Sequence, residues 1–182
     1  MTSGDGARAG VDGTTPVAQS DEVDRIVEAW AGVAPDLDTA PLQVLSRVSR
    51  LARHLERARG EAFSAHALDG WEFDVLSALR RAGEPFELSP GALVQQTLST
   101  SGTMTNRIDR LEARGMVERR PDPADKRGVK VRLLAPGVTA VDGALKTLME
   151  HERAMLADLD PADQAAMAAS LRRLLLPLDS RV

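Results

Sequence analysis

Between Ser99 and Leu134 the chain carries hydroxyl, amide and guanidinium groups at helical spacing, with no nucleophile set beside a base. Ser101, Thr103, Thr105, Asn106 and Arg110 are side chains of the kind that meet base edges and phosphates, not a pair that turns over a substrate. The stretch reads STSGTMTNRIDRLEARGMVERRPDPADKRGVKVRLL. Met104, Ile108 and Leu111 recur within it at helix period, and at ~100° per residue Asn106 points nearly opposite that apolar stripe. Arg107 sits about 65–70° from the centre of the stripe. It is therefore flanking and partly inward, a place for a charged side chain with an internal partner. The helix is expected to stop at Gly115. A strand over Met116–Arg120 follows, then a turn rich in Pro, Asp, Lys, Arg and Gly, and an alternating strand over Val129–Leu133 comes back. Arg120, Lys126 and Arg127 fall on or beside that turn, where they would reach a phosphate or the minor groove. Strand alternation puts Arg119 and Arg120 on opposite faces, so one of them is free for another role. Helix, strand, charged turn, strand is the pattern of a winged helix, whose helix lies in a DNA major groove.

Other elements must position these residues. A third helix is expected over Leu68–Ala82. Phe73, Leu76 and Leu79 form one apolar face of it, and Trp71, Val75 and Ala78 form a second that also carries Asp74. A helix apolar on two sides is buried on two sides, so this carboxylate should be paired or reach a water-filled pocket. Arg107 is the expected partner. Glu87–Leu88 reads as a minimal strand. Ser89 should cap a short helix with Pro90 at its first position, and a turn over Leu98–Ser101 completes a helix-turn-helix.

Towards the N-terminus, Ser20 is expected to cap a helix starting at Asp21, with Val23, Ile26, Val27 and Trp30 as its stripe. Thr39 should cap a longer helix whose seam (Leu42, Leu45, Val48, Leu51, Leu55, Ala58) exceeds what a small domain needs and fits dimerisation. Past the wing, Pro136-Gly137 is expected to break the chain before helices over Val138–Leu159 and beyond Asp160-Pro161. The reading is a mainly α fold with a small β wing: a winged helix-turn-helix domain plus N- and C-terminal dimerisation helices. Residues 1–20 form a disordered tail, 21–33 an extra helix, 39–67 and 138–179 the helical dimerisation region, and 68–135 the DNA-binding domain.

Composition narrows the function. The 182 residues contain no cysteine, which excludes disulfides, thiolate catalysis and Cys-based zinc sites. Net charge is −4, yet residues 100–135 carry nine basic and five acidic groups against two and eight in residues 1–40. The basic footprint is local, as in a sequence-specific DNA binder. His54, His66 and His151 have no second ligand at helical spacing, so no metal is assigned and no cofactor is expected. No apolar run approaches the ~20 residues of a membrane span, and the opening residues lack a signal-peptide core, so a cytoplasmic protein with no membrane partner is expected.

WEFDVLSALRRAG (Trp71 to Gly83), SGTMTNRIDRLEARGMVERRPDPADKRG (Ser101 to Gly128) and the residues from Val131 to Gly137 resemble the MarR family of dimeric winged-helix regulators. Where that family usually leaves the wing through Leu-Thr-Pro, this chain has Leu133-Leu134-Ala135-Pro136. The chain looks most like the urate-responsive branch. That resemblance implies a ligand site of Trp30, Asp74, Arg107 and Arg119, and a homodimeric repressor on a palindromic double-stranded operator. A small anionic metabolite, urate-like or a polycarboxylate such as trans-aconitate, would release it. The alternatives are a constitutive winged-helix regulator without a small-molecule ligand, and an enzyme using the winged helix for dimerisation. The enzyme would need a Gly-rich strand-turn-helix, which the sequence lacks.

Overall fold

The computed structural model describes residues 20–180, so all but the last residue of the expected tail over 1–20 lies outside the described residues. The chain divides into two compact units, one ending at Leu51 and the other beginning at Ala52.

In the first unit, helix α1 (Glu22–Val33) is capped by Asp21, whose carboxylate accepts from the backbone N–H of Val23 at 2.7 Å and of Asp24 at 3.1 Å. Asp24 reciprocates by accepting from the Asp21 N–H at 2.9 Å, so the cap falls one residue later than the expected Ser20. Helix α2 (Ala40–Ser64) begins where Asp38, not Thr39, accepts from the Ala40 N–H. Arg47 on α2 forks onto Asp21 at 2.9 Å and Asp24 at 2.7 Å. Burial works to raise the Asp21 pKa, but the N–H of Asp24, the Arg47 guanidinium and the N–H of Val23 outweigh it and hold the carboxyl below its ordinary value. Asp24 is lowered by the Asp21 N–H and then by Arg47.

The second unit holds the core. Helix α3 (Gly70–Arg81), strand β1 (Glu87–Leu88), helix α4 (Pro90–Gln96), helix α5 (Ser101–Ala113), strand β2 (Val117–Asp122), strand β3 (Asp125–Leu133), helix α6 (Ala135–Met155) and helix α7 (Pro161–Asp179) follow in order. Leu76 and Leu79 of α3, Leu93 of α4, Met104, Ile108 and Leu111 of α5, Val131 of β3 and Val141 and Ala144 of α6 are fully buried together. The Met104–Ile108–Leu111 stripe is thus the inner face of α5, as its spacing requires. Phe63 and Phe73 stack with centroids 4.1 Å apart.

The sheet runs β1-β3-β2, all antiparallel. Its two long strands extend further than expected: β3 begins at Asp125 and pairs that residue with Asp122, leaving only Pro123 and Ala124 as the tip of the wing. Ser89 caps α4 through a 3.2 Å bond from Ala92 N–H, and Thr100 caps α5. Gly115, at φ +65°, takes the left-handed position that ends α5 and lets the Met116 N–H reach back to the Leu111 carbonyl.

Pro136-Gly137 does not break the chain. Pro136 lies in the first turn of α6, where its missing N–H costs nothing. Gly137 is there because a Cβ would stand 2.6 Å from the Met116 carbonyl oxygen and 2.7 Å from Leu133 Cδ1. The helix also ends at Met155, before the expected Leu159. Among the described residues no helix is long and apolar enough to cross a membrane.

Candidate DNA-binding face and ligand cleft

Helix α5 presents the side chains expected to meet DNA. Thr100 Oγ1 accepts from the Thr103 N–H at 3.3 Å and fixes the first turn. Ser101, Thr103, Thr105, Asn106 and Arg110 are all exposed, and Thr105 Oγ1 donates to the Ser101 carbonyl at 3.2 Å. On the wing, Arg120 is exposed and donates to Glu118 at 2.6 Å. Arg127 is exposed on β3, and its backbone N–H is held by Asp125 at 2.9 Å. Lys126 precedes it in the same strand.

Of the residues expected around a ligand, the three in the second unit, Asp74, Arg107 and Arg119, are not brought into one pocket. Asp74 is not desolvated: its side chain is 49% exposed and its partner is Arg59, 3.9 Å away. The expected Asp74–Arg107 pair does not form, because Asp74 faces α2 and α6 while Arg107 lies against the first turn of α3, 5.6 Å from the centre of the Trp71 ring. Arg119 is fully engaged. Its guanidinium meets Glu112 at 2.5 Å and also Asp109, and its backbone N–H donates to Glu112 at 2.9 Å. Burial works to lower its pKa, and Asp109 and Glu112 more than reverse that, so Arg119 stays charged as a clamp between β2 and α5. Trp30 belongs to the first unit and is 46% exposed.

Asp74 does line a cleft of about 570 Å³, with Arg59, Arg80, Arg81, Leu98 and Asp142 among its walls. Arg80 donates to Asp142 through two nitrogens at 2.9 and 3.1 Å, and its charge is reinforced chiefly by that carboxylate. Leu98, at φ +48° and 90% exposed, belongs to the turn between α4 and α5, so the cleft touches the turn that sets the recognition helix. The buried carboxylate of α3 is Glu72, 2% exposed, which meets Arg114 at 2.5 Å and accepts from the Asp69 N–H at 2.9 Å. His66 lies in the turn after α2, where it bonds Thr147 at 2.9 Å across Gly143 of α6. Among the described residues no cluster of three or more His, Asp or Glu is placed to hold a metal.

The fold and the exposed α5 face define a winged helix-turn-helix DNA-binding protein. The chain belongs to the MarR family of transcriptional regulators. A sequence model of that family matches residues 68–128. The HTH-type transcriptional regulator PecS of Dickeya dadantii (strain 3937) is 34% identical over 84% of this chain and 92% of its own length. The multiple antibiotic resistance protein MarR of Escherichia coli (strain K12) is 31% identical over 67% of this chain and 83% of its own. Among solved structures, Bordetella bronchiseptica BpsR, whose DNA binding is regulated by 6-hydroxynicotinic acid, aligns with TM-score 0.55 and 28% identity, covering 71% of this chain and 93% of that one.

Proposed function

We propose that this regulator is a homodimeric repressor of a palindromic operator, released when a small organic anion occupies the cleft beside α3. One observation carries the reading: the same cleft is lined by Arg59, Arg80 and Arg81, set against Asp74, Asp142 and Glu152, and by Leu98 of the helix-turn-helix turn. An anion drawn to the guanidiniums competes with Asp74 for Arg59 and with Asp142 for Arg80. Any ring it carries covers Leu98. Rearranging that turn moves α5, and in a dimer it alters the spacing of two recognition helices that must meet half-sites about one DNA turn apart. A coupling of 1–3 kcal/mol gives roughly a 5–150-fold response. Regulation of BpsR by an aromatic acid supports an aromatic or polycarboxylate anion, and urate and trans-aconitate are the first to try.

The second reading is a constitutive regulator, favoured by the fact that Arg80 is already satisfied by Asp142. Fluorescence anisotropy on the DNA upstream of the protein's own gene, titrated with urate, trans-aconitate and 6-hydroxynicotinate, separates the two. Release by one anion and not by equal ionic strength of chloride is expected. Tight binding that no anion reverses would leave the constitutive reading standing.

A further inference from the structure

The first turn of α3 contains an aromatic ring that the DNA-binding reading does not use. Trp71 is half-buried, and its indole N–H donates to the Asp69 carboxylate at 3.2 Å, which fixes the ring plane. Two guanidiniums from the recognition helix come to that one ring. Arg110 lies 4.7 Å from its centre and Arg107 lies 5.6 Å from it. One residue further along α3, buried Glu72 holds Arg114, the C-cap of α5. Three arginines of α5, spaced by one turn, are thus anchored on the first turn of α3.

Arg110 also has one nitrogen 3.9 Å from the Asp69 carboxylate that holds the indole N–H, and its remaining N–H groups, like those of Arg107, are of the kind that bond a phosphate. Held back on Trp71, Arg107 and Arg110 lie towards the flank of α5 rather than its outermost line, which Asn106 occupies. In a major groove the outermost line meets the base edges and the flanks meet the phosphate walls. Long cationic side chains left free would lose rotamer entropy on docking, and a ring that already orders them removes much of that cost.

We propose that Trp71 is a positioning residue for DNA binding, holding Arg107 and Arg110 in place to bond backbone phosphates beside the recognition helix. The inference rests on α5 being the DNA-contacting helix. It assigns Arg107 to the phosphate backbone rather than to Asp74.

The test measures binding of the full chain to its upstream duplex and to a random-sequence duplex of equal length, each over a salt series. Phosphate contacts weaken binding alike on every sequence, and each one lost makes the salt slope shallower by about 1. Trp71→Leu is therefore expected to weaken both complexes by the same factor and to flatten the slope by up to about 2. Trp71→Phe, which keeps a ring, should restore most of the loss, and this also guards against a mere folding defect. Arg107→Gln and Arg110→Gln should each weaken binding in the natural background and add little to Trp71→Leu. The proposal is overturned if the two Gln variants bind DNA as the natural protein does, or if Trp71→Leu leaves the slope unchanged while they flatten it. A natural protein that binds neither duplex would sink the α5 reading itself, a result separate from either of these.

Discussion

Two carboxylates two positions apart on α3 have opposite fates, and their difference sets what each can do. Glu72 is buried and shares Arg114 with nothing but the Ala67 carbonyl, which takes the other guanidinium nitrogen at 2.7 Å. Removing one partner of a buried pair leaves the other charge poorly compensated, so Glu72→Ala should lower stability by about 3 kcal/mol, the low end for such a pair because Arg114 reaches water. Urea denaturation would read this as an earlier midpoint with an unchanged slope. Asp74 is half exposed, and its contact with Arg59 is long. Asp74→Asn should leave the urea midpoint almost where it was. Under the ligand reading it should also free Arg59 for an incoming anion. The concentration of anion that half-releases the operator should then fall by up to about fivefold, the scale of an exposed ion pair. An Asp74→Asn protein with unaltered release would detach Asp74 from the switch.

At the scale of elements, the junction between wing and α6 is tightly constrained by backbone contacts. Leu134 N–H bonds the Met116 carbonyl at 2.9 Å, and Gly137 packs against that same carbonyl. A backbone oxygen cannot swing aside as a side-chain tip can, so Gly137→Ala should cost about 1–3 kcal/mol by overpacking. Thermal or urea unfolding would check this, and an unaltered midpoint would mean that α6 can slide at its start. The sequence hid this junction, because Pro-Gly is normally a stop signal, and only the tertiary contact with Met116 makes it a helix start. The helix-turn-helix was legible for the opposite reason. Its signals are local: the 3.6-residue stripe of α5, Ser89 and Pro90 opening α4, and Gly115 closing α5. Such local signals also gave the wing, although its strands proved longer than the Val129–Leu133 alternation implied. The site was less legible. A helical wheel places Asp74 and Arg107 on faces but gives no distance between helices, and it paired two residues that the packing sends to different neighbours. Nor does any local spacing join Glu72 to Arg114 or Arg80 to Asp142, which are 42 and 62 residues apart.

At the scale of the whole molecule, α7 has no buried residue at all, yet Leu174, Leu175, Leu176 and Leu178 are between 48% and 60% exposed. Contiguous leucines on one 19-residue helix are far more apolar surface than a lone soluble chain usually leaves in water. A second copy of the chain is the simplest cover, since a two-fold interface presents the same patch from both sides. Sedimentation or light scattering should then give twice the 19.5 kDa of one chain. Leu175→Glu combined with Leu178→Glu should shift that mass to one chain, because two carboxylates per copy would be buried without partners. Far-UV dichroism should stay nearly constant, since α7 contributes nothing to the core of Leu76, Leu93 and Ile108. Operator binding should fall much further than stability. A dimer gains its second half-site at high effective concentration, worth about 10²–10⁴ in affinity, and a monomer forfeits that gain. Its binding to random-sequence DNA should drop far less, because each α5 face remains whole. A variant that stays dimeric, or a monomer that keeps full operator affinity, would show that the paired recognition helices are assembled by another surface.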